Sequence, residues 1–219
     1  MTRMNRPERR KRPTSDDLFE LMSVLSHDLR TPLTPVKGYA EIMRTRAHAL
    51  GPDKTVQYAT IIVDAAARME RSIDLLSGIS ALYGGRADIQ QVPVRPANLV
   101  AERLDIWRGR EPQRVFQADA AAASGGVLAD RGWLGKALDI FVDQALRTWP
   151  APATIVLSAV SHPNGQTTSL RVGALGIANV AGAAATGRLG RAFVVAVADV
   201  CGYSLTGDLE IELPVTQEP

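Results

Sequence analysis

The chain has little cysteine and lacks long apolar runs. Cys201 is the single cysteine among 219 residues, which excludes an internal disulfide and most metal sites. Its expected role is that of a small buried apolar side chain. No apolar run is long enough to cross a bilayer, and the basic N-terminus is not followed by the apolar block of a signal peptide. These absences predict a cytoplasmic protein without a membrane span.

Net charge is also small, but the charges are unevenly placed. The formal net charge is only +2, yet basic residues crowd the beginning of the chain: Arg3, Arg6, Arg9, Arg10, Lys11 and Arg12. Such a run predicts a disordered, solvated tail over residues 1–14. Nothing downstream resembles a base-reading module, so we expect no specific nucleic-acid partner. At 46% hydrophobic residues, the remaining chain has enough apolar material for two modest domains.

His27 stands next to a carboxylate, Asp28, on a helical pattern. Apolar residues recur here at alternating steps of four and three, at Leu18, Met22, Leu25, Leu29, Pro32, Val36, Tyr39 and Met43. This spacing predicts a seam for a partner helix, with His27 on the outer side and Thr31 one turn further along the same face. A neutral imidazole is a good nucleophile, and a neighbouring carboxylate fixes its tautomer and takes up its proton. The pattern indicates a phosphoaccepting histidine, with a solvated surface histidine as the alternative.

A second helix is predicted from about Asp53 to Tyr83, where the same seven-residue rhythm returns. Its seam residues are Ala59, Ile62, Ala66, Met69, Ile73 and Leu76. Gly51 and Pro52 are expected to separate the helices, with Asp53 as the N-cap of the second. One hairpin has too little core to bury both seams, so we expect residues 15–85 to form a homodimer as a four-helix bundle. The alternative is a pair of core helices in a monomer.

A known motif surrounds His27. The H-box of sensor histidine kinases closely resembles residues 26–34, which read Ser-His-Asp-Leu-Arg-Thr-Pro-Leu-Thr, and the Val-Lys-Gly-Tyr-Ala at 36–40. The resemblance implies that His27 is the phosphorylated residue and Asp28 its acid/base partner. It also implies that Thr31 helps to place water when the response regulator is dephosphorylated, and that a receiver domain is the partner. Pro32 and Pro35 each remove a backbone donor and are expected to bend the helix beyond the site.

Past Gly84 and Gly85 the composition changes to a mixed pattern. Helices are predicted from near Pro96 or Ala97, from Trp133 to Leu146 and from about Arg191 to Val200, and strands over Thr154 to Val160, Ser169 to Val172 and Leu209 to Val215. Helices with a largely antiparallel sheet favour an α/β sandwich. The order resembles that of histidine kinases, in which a GHKL-type ATP-binding domain follows the dimerisation hairpin. The expected fold class is thus α plus α/β, with a degenerate GHKL-type sandwich over residues 92–217.

The nucleotide-contacting motifs of that domain are altered. By the resemblance, Gln144 replaces the asparagine that holds Mg²⁺, and the extra methylene disfavours the octahedral geometry of magnesium. Alignment on Gly176 puts Val172 where the family has the aspartate that binds the adenine amine, a hydrogen bond that valine cannot accept. Gly187 and Gly190 keep only part of the glycine motif that approaches the phosphates. We therefore expect ATP and Mg²⁺ to bind poorly or not at all, and we assign no metal ligands.

An intact H-box beside altered nucleotide motifs leaves three functions open. The first is a protein of the histidine kinase family whose His27 exchanges a phosphoryl group with a response-regulator aspartate, while its autokinase activity is weak or lost. Its phosphoryl group then comes from an active partner histidine kinase or by back-transfer, as in histidine phosphotransferases that resemble kinases with a dead ATPase domain. The second is an atypical ATP-dependent histidine kinase. The third is a non-catalytic dimer that docks a kinase or a regulator.

Overall fold

The structure, a computed structural model, describes residues 14–121, 123, 125–163, 165–175 and 187–216. Nearly all of the basic tail, and Gly176, therefore lie outside the described residues. The chain forms two compact units, of which the first ends at Ala81 and the second begins at Leu82. In the described part of the chain, the structure contains no helix with the length and apolar character needed to span a membrane.

The first unit is a helical hairpin. Helix α1 spans Ser15–Arg46, a 3-10 turn follows at Ala47–Ala49, and helix α2 spans Pro52–Tyr83, whose last turn enters the second unit. The rings of Tyr39 and Tyr58 lie 4.9 Å apart between their centroids and join the two helices. The predicted pair of long helices is confirmed.

One predicted helix boundary was wrong. Helix α2 begins at Pro52, so Asp53 lies inside the first turn and is not the N-cap. Proline suits the first helical position because the N–H that it lacks would have no partner there, and its fixed φ already matches the helix. Helix α1 continues through both Pro32 and Pro35.

The second unit is a seven-stranded sheet with three helices. Its elements are β1 Val92–Val94, α3 Pro96–Arg110, β2 Val115–Asp119, β3 Gly126–Ala129, α4 Arg131–Thr148, β4 Thr154–Ser161, β5 Thr167–Leu175, α5 Arg188–Cys201, β6 Ser204–Gly207 and β7 Glu210–Thr216. The strand order is β1-β3-β7-β5-β4-β2, with β6 also paired to β7. Only β2 and β4 are parallel among these described pairs, so the sheet is largely antiparallel, as predicted.

The helices cover one face of this sheet. Ile155, Leu157 and Ala159 alternate along β4 and are fully buried or nearly so, as expected for the covered face of a strand. Helices α4 and α5 pack together, and the rings of Trp133 and Phe193 lie 5.9 Å apart between their centroids. The covered face therefore holds the core of the unit.

Three short strands were not predicted. Strands β2, β3 and β6 have five, four and four residues, too few for a clear alternation of apolar and polar side chains. Their partners are distant in sequence, because β3 pairs with β1 and with β7. The predicted helices and longer strands are confirmed, with ends that differ by a few residues.

Candidate active site

The His27 side chain lies on the exposed side of α1. Its imidazole is 80% exposed, and its Nδ1 lies 3.4 Å from Oδ1 of Asp28, whose side chain is 30% exposed. This separation is longer than an ordinary hydrogen bond, so the carboxylate is within reach of the ring without locking it in place. With Nδ1 beside Asp28, Nε2 is the ring nitrogen that this carboxylate leaves open.

Thr31 lies one turn beyond His27 on the same face. Its hydroxyl donates to the backbone carbonyl of His27 at 3.0 Å. Pro32 and Pro35 have no N–H to donate to the carbonyls of Asp28 and Thr31, so the helix has fewer backbone hydrogen bonds at this point. With its proton on the His27 carbonyl, the Thr31 hydroxyl oxygen still has lone pairs that can accept a hydrogen bond from water.

Small side chains continue this face beyond Thr31. The Thr34 hydroxyl donates to the carbonyl of Arg30 at 3.2 Å, so it too is tied to the helix backbone. Apart from its own helix backbone, Gly38 has no described heavy atom within 4 Å of the position that a Cβ would take. Thr31, Thr34 and Gly38 are all exposed. They form a smooth surface next to His27 that we call the α1 strip.

Gln144 is buried in α4, with 7% of its surface exposed. Its amide Nε2 donates to Oγ1 of Thr148 at 3.2 Å, and the Thr148 hydroxyl donates to the Gln144 carbonyl at 2.9 Å. The side chain is thus held within its own helix. Over the described residues, His, Cys, Asp and Glu side chains form no group of three or more that could hold a metal ion.

Val172 lies in β5 opposite Leu157 of β4 and is 2% exposed. An isopropyl group cannot accept a hydrogen bond from an amine, so this position offers no polar anchor to a base. Gly187 is the N-cap of α5, and Gly190 is buried in the first turn of that helix. The structure therefore brings Gly187 and Gly190 together, whereas Gly176 falls outside the described residues.

A small cavity lies beside α4, α5 and β6. It has a volume of about 10 Å³ and is lined by Phe141, Arg191, Val194, Leu205, Gly207 and Asp208. That is room for about one water molecule, whereas sites for small ligands measure roughly 300–1,000 Å³. Nη1 of Arg191 donates to Oδ1 of Asp208 at 2.6 Å, so the charge of this arginine is already paired.

Comparison with known proteins identifies the first unit. Residues 17–80 match the family model of the His Kinase A (phospho-acceptor) domain. The sensor histidine kinase AtsR of Burkholderia thailandensis is 25% identical over 178 residues, which are 76% of this chain and 29% of that protein. The histidine protein kinase DivJ of Caulobacter vibrioides is 25% identical over 137 residues, which are 62% of this chain and 23% of that protein. The first unit is thus similar to the phospho-acceptor domains of sensor histidine kinases. The chain spans less than a third of the length of these two relatives.

Solved histidine kinases share the fold of this chain. The histidine kinase AdeS of Acinetobacter baumannii matches with a TM-score of 0.60 at 18% identity, over 88% of this chain and 98% of that one. The histidine kinase ThkA, solved in complex with the response regulator protein TrrA, matches with a TM-score of 0.68 at 18% identity, over 92% and 63% of the respective chains. The predicted fold, a helical hairpin followed by a GHKL-type α/β sandwich, is confirmed.

The structure places His27, Asp28 and Thr31 together, while their chemical roles stay predictions. Sequence reasoning passed over Thr34 and Gly38 as members of the same surface. The signal was present, because both lie on the helical face of His27 and have small side chains. Only the structure shows that the space around Gly38 is open.

Proposed function

We propose that His27 exchanges a phosphoryl group with the aspartate of a response-regulator receiver domain, and that the autokinase activity of this chain is weak or lost. The observation that supports this most strongly is a contrast between two positions. The His27 imidazole is 80% exposed, whereas the position aligned with the adenine-binding aspartate holds Val172, which is apolar and buried. The phosphoacceptor is open to a partner, and the nucleotide site lacks its polar anchor.

The transfer is a displacement at phosphorus. Nε2 of His27 forms a bond to phosphorus while the bond from phosphorus to the aspartyl oxygen breaks and the carboxylate leaves. The ring becomes positive during the attack, and the negative Asp28 next to Nδ1 stabilises it and shares its proton. The reverse displacement returns the group to a regulator. In dephosphorylation, the Thr31 hydroxyl oxygen places the attacking water by accepting a hydrogen bond from it.

We place the receiver domain on the α1 strip. The hydroxyls of Thr31 and Thr34 are tied to the backbone, and Gly38 has no side chain, so a partner helix can approach α1 closely. Arg30 and Lys37 are exposed one position before Thr31 and Gly38 and give the strip a basic edge. This combination suits a helix with acidic side chains along one side. The solved complex of ThkA with a response regulator supports a partner of this class.

We also propose a homodimer through residues 15–85. Large apolar side chains of the hairpin are more than two-fifths exposed in the single chain, namely Leu18, Phe19, Met22, Leu33, Val56, Val63 and Ile73. Leu18, Met22 and Ile73 belong to the predicted seams. Pairing of two hairpins into a four-helix bundle would cover such side chains.

Transfer to His27 is measured with a receiver domain that carries ³²P-labelled aspartyl phosphate. The wild-type chain should gain label that is labile to acid and stable to alkali, and His27→Gln should gain none. His48→Gln is the matched control, because His48 is also an exposed histidine on the hairpin and should leave labelling unchanged. Equal labelling of His27→Gln would refute the proposed acceptor.

The phosphoryl source is tested by replacing the receiver with labelled Mg-ATP. Little or no label should reach His27, because neither Val172 nor Gln144 supplies the contact to adenine or magnesium that the resemblance implies at its position. Strong labelling of His27 by Mg-ATP alone would establish the atypical kinase instead. If His27 gains no label from the receiver, from Mg-ATP or from an active partner kinase, the result would support the third function, a non-catalytic docking protein.

A binding titration measures directly whether the second unit has affinity for Mg-ATP. A calorimetric titration with Mg-ATP should show no saturation up to millimolar concentration, since a base at Val172 would lose its main hydrogen bond. The double variant Val172→Asp/Gln144→Asn restores both polar groups. It should bind Mg-ATP more tightly than the wild type if the fold is retained. A micromolar dissociation constant for the wild type would contradict the proposal.

A further inference from the structure

Arg30 is an exposed cation on α1, three positions after His27. Among the residues that the structure describes, none forms an ion pair or a hydrogen bond with its guanidinium group. The positions three or four residues away on the helix hold Ser26, His27, Leu33 and Thr34, none of which is a carboxylate. The charge of Arg30 is therefore available to an anion on the same side of the helix as His27.

Arg44 shows how an arginine on α1 meets an anion at this spacing. Its Nη2 and Nε donate to the two carboxylate oxygens of Glu41, three positions earlier, at 2.6 and 3.0 Å. Side chains of a helix lean toward its N-terminus, which brings the later residue of such a pair back onto the earlier one. Arg30 stands in the same relation to His27 as Arg44 does to Glu41. An anionic group on the His27 ring would therefore lie on the side to which Arg30 leans.

A phosphoryl group turns His27 into such an anion, because it adds negative charge and three acceptor oxygens to the ring. From the shared spacing we propose that Arg30 binds the phosphoryl group that His27 carries. The planar guanidinium presents a fork of N–H donors that can bind two phosphoryl oxygens at once. With Asp28 beside Nδ1, the group is attached at Nε2, away from that carboxylate. The assignment rests on the proposed phosphorylation of His27 and adds a residue that holds the phosphorylated ring.

The other charged groups near His27 do not supply this contact. Asp28 is negative and repels the phosphoryl oxygens. On α2, the antiparallel pairing of the hairpin puts Glu70 and Arg71 at about the level of His27, and both are exposed. Their opposite charges offset each other. Arg30 therefore supplies the positive charge that the phosphoryl group meets on its own helix.

Chemical phosphorylation tests the contact without a receiver domain. Phosphoramidate is the reagent: Nε2 of His27 forms a bond to phosphorus, the phosphorus–nitrogen bond breaks, and ammonium leaves with the imidazole proton. The ³¹P resonance that is missing from treated His27→Gln belongs to phosphorylated His27. Its chemical shift is then followed against pH to give the pKa at which the phosphoryl group gains its second negative charge.

Arg30→Gln should raise this pKa by about 0.2–0.7, because a nearby exposed cation favours the doubly charged form. Glutamine is a good helix former, so α1 is expected to persist in the variant. Arg30→Lys keeps the charge without the fork and should retain most of the wild-type value. An unchanged pKa in Arg30→Gln would overturn the inference.

The matched control is Arg46→Gln. Arg46 is an exposed arginine at the end of the same helix, about 28 Å from His27 along the axis. That separation is several Debye lengths at physiological salt, so the pKa of the phosphoryl group should not change. An equal rise in Arg46→Gln and Arg30→Gln would also refute the contact. If a receiver failed to label His27, the proposed function would fall, whereas this measurement would still decide the role of Arg30.

Discussion

His27 owes its proposed chemistry to exposure and to one neighbour. Its ring is 80% exposed, and Oδ1 of Asp28 lies 3.4 Å from Nδ1, within reach of the ring but farther than in an ordinary hydrogen bond. The Thr31 hydroxyl donates to the His27 carbonyl, so its oxygen is held beside His27 on the same face of the helix. These three residues lie within two turns of one helix, so their arrangement needs no long-range packing.

Gly38 offers a test of the docking surface at a single position. Gly38→Arg should slow transfer from the receiver to His27 by roughly ten-fold, because a long charged side chain would stand in the path of the partner helix. It should also raise helix stability by about 0.5–1 kcal/mol, since glycine is a poor helix former. Transfer is followed as ³²P label, and stability by thermal unfolding.

The control for this change is Gly109→Arg. Gly109 is also a helical glycine and, apart from its own helix backbone, has no described heavy atom within 4 Å of the position that a Cβ would take, but it lies in α3 of the second unit. Its replacement should leave transfer unchanged. If both variants transfer at the wild-type rate, the α1 strip is not the docking surface.

Among the elements, α4 and α5 are joined by one polar cluster. Tyr203 follows the left-handed turn at Gly202 and is 7% exposed, and its hydroxyl oxygen accepts from the N–H of Asp130 at 3.1 Å. Asp130 in turn caps α4 and accepts from the backbone N–H of Gln90. The start of α4, the end of α5 and the backbone at Gln90 are therefore fixed by a few buried groups.

Tyr203→Phe should destabilise the second unit by about 1–3 kcal/mol, because the buried N–H of Asp130 would lose its acceptor. Burial raises the pKa of Tyr203 above its ordinary value of 10.0. The folded state then holds this proton more tightly than the unfolded state, so the contribution is complete below pH 10 and is lost as the pH rises toward the raised pKa. Denaturant unfolding of the wild type should show this alkaline decline.

The variant Tyr203→Phe should lack the part of the alkaline decline in stability that Tyr203 causes, because phenylalanine has no hydroxyl proton to release. Tyr39→Phe, a half-buried tyrosine of the hairpin, should retain the decline and most of the stability of the wild type. An identical alkaline slope in Tyr203→Phe and the wild type would contradict the assignment to Tyr203.

The two units of the molecule differ in how completely a single chain buries their apolar side chains. The α/β unit buries its core within a single chain, as shown by the fully buried Leu134, Ile155 and Ile211. The hairpin leaves large apolar side chains such as Phe19 and Val63 exposed at 78% and 64%. The hairpin therefore gains more from a second copy than the α/β unit does.

Light scattering of the purified chain should give the mass of a dimer. Ile73→Glu should shift the mass toward the monomer, because a charge would enter the proposed four-helix core. Val115→Glu is the matched control, since Val115 is 59% exposed on an edge strand of the other unit, compared with 51% for Ile73. A wild-type monomer, or equal behaviour of both variants, would contradict the proposed dimer.

The amino-acid sequence by itself determined the hairpin and the phosphoacceptor segment. Both depend on short repeats, namely the seam spacing and the adjacency of His27 and Asp28, and a helix turns such spacings directly into faces. The longer helices and strands of the second unit were also predictable from their periodicity. The match of residues 17–80 to the phospho-acceptor domain agrees with that local pattern.

Only the tertiary structure decided the remainder. The pairing of β3 with β1 and β7, the burial of Val172 and the shared role of Asp130 join residues that are far apart in sequence. Such contacts form because the sheet and its helices bury apolar surface together, and no local spacing specifies which distant partner a short strand or a buried carboxylate will meet. The start of α2 at Pro52 was also decided only by the structure, because Gly51, Pro52 and Asp53 all suit the beginning of a helix.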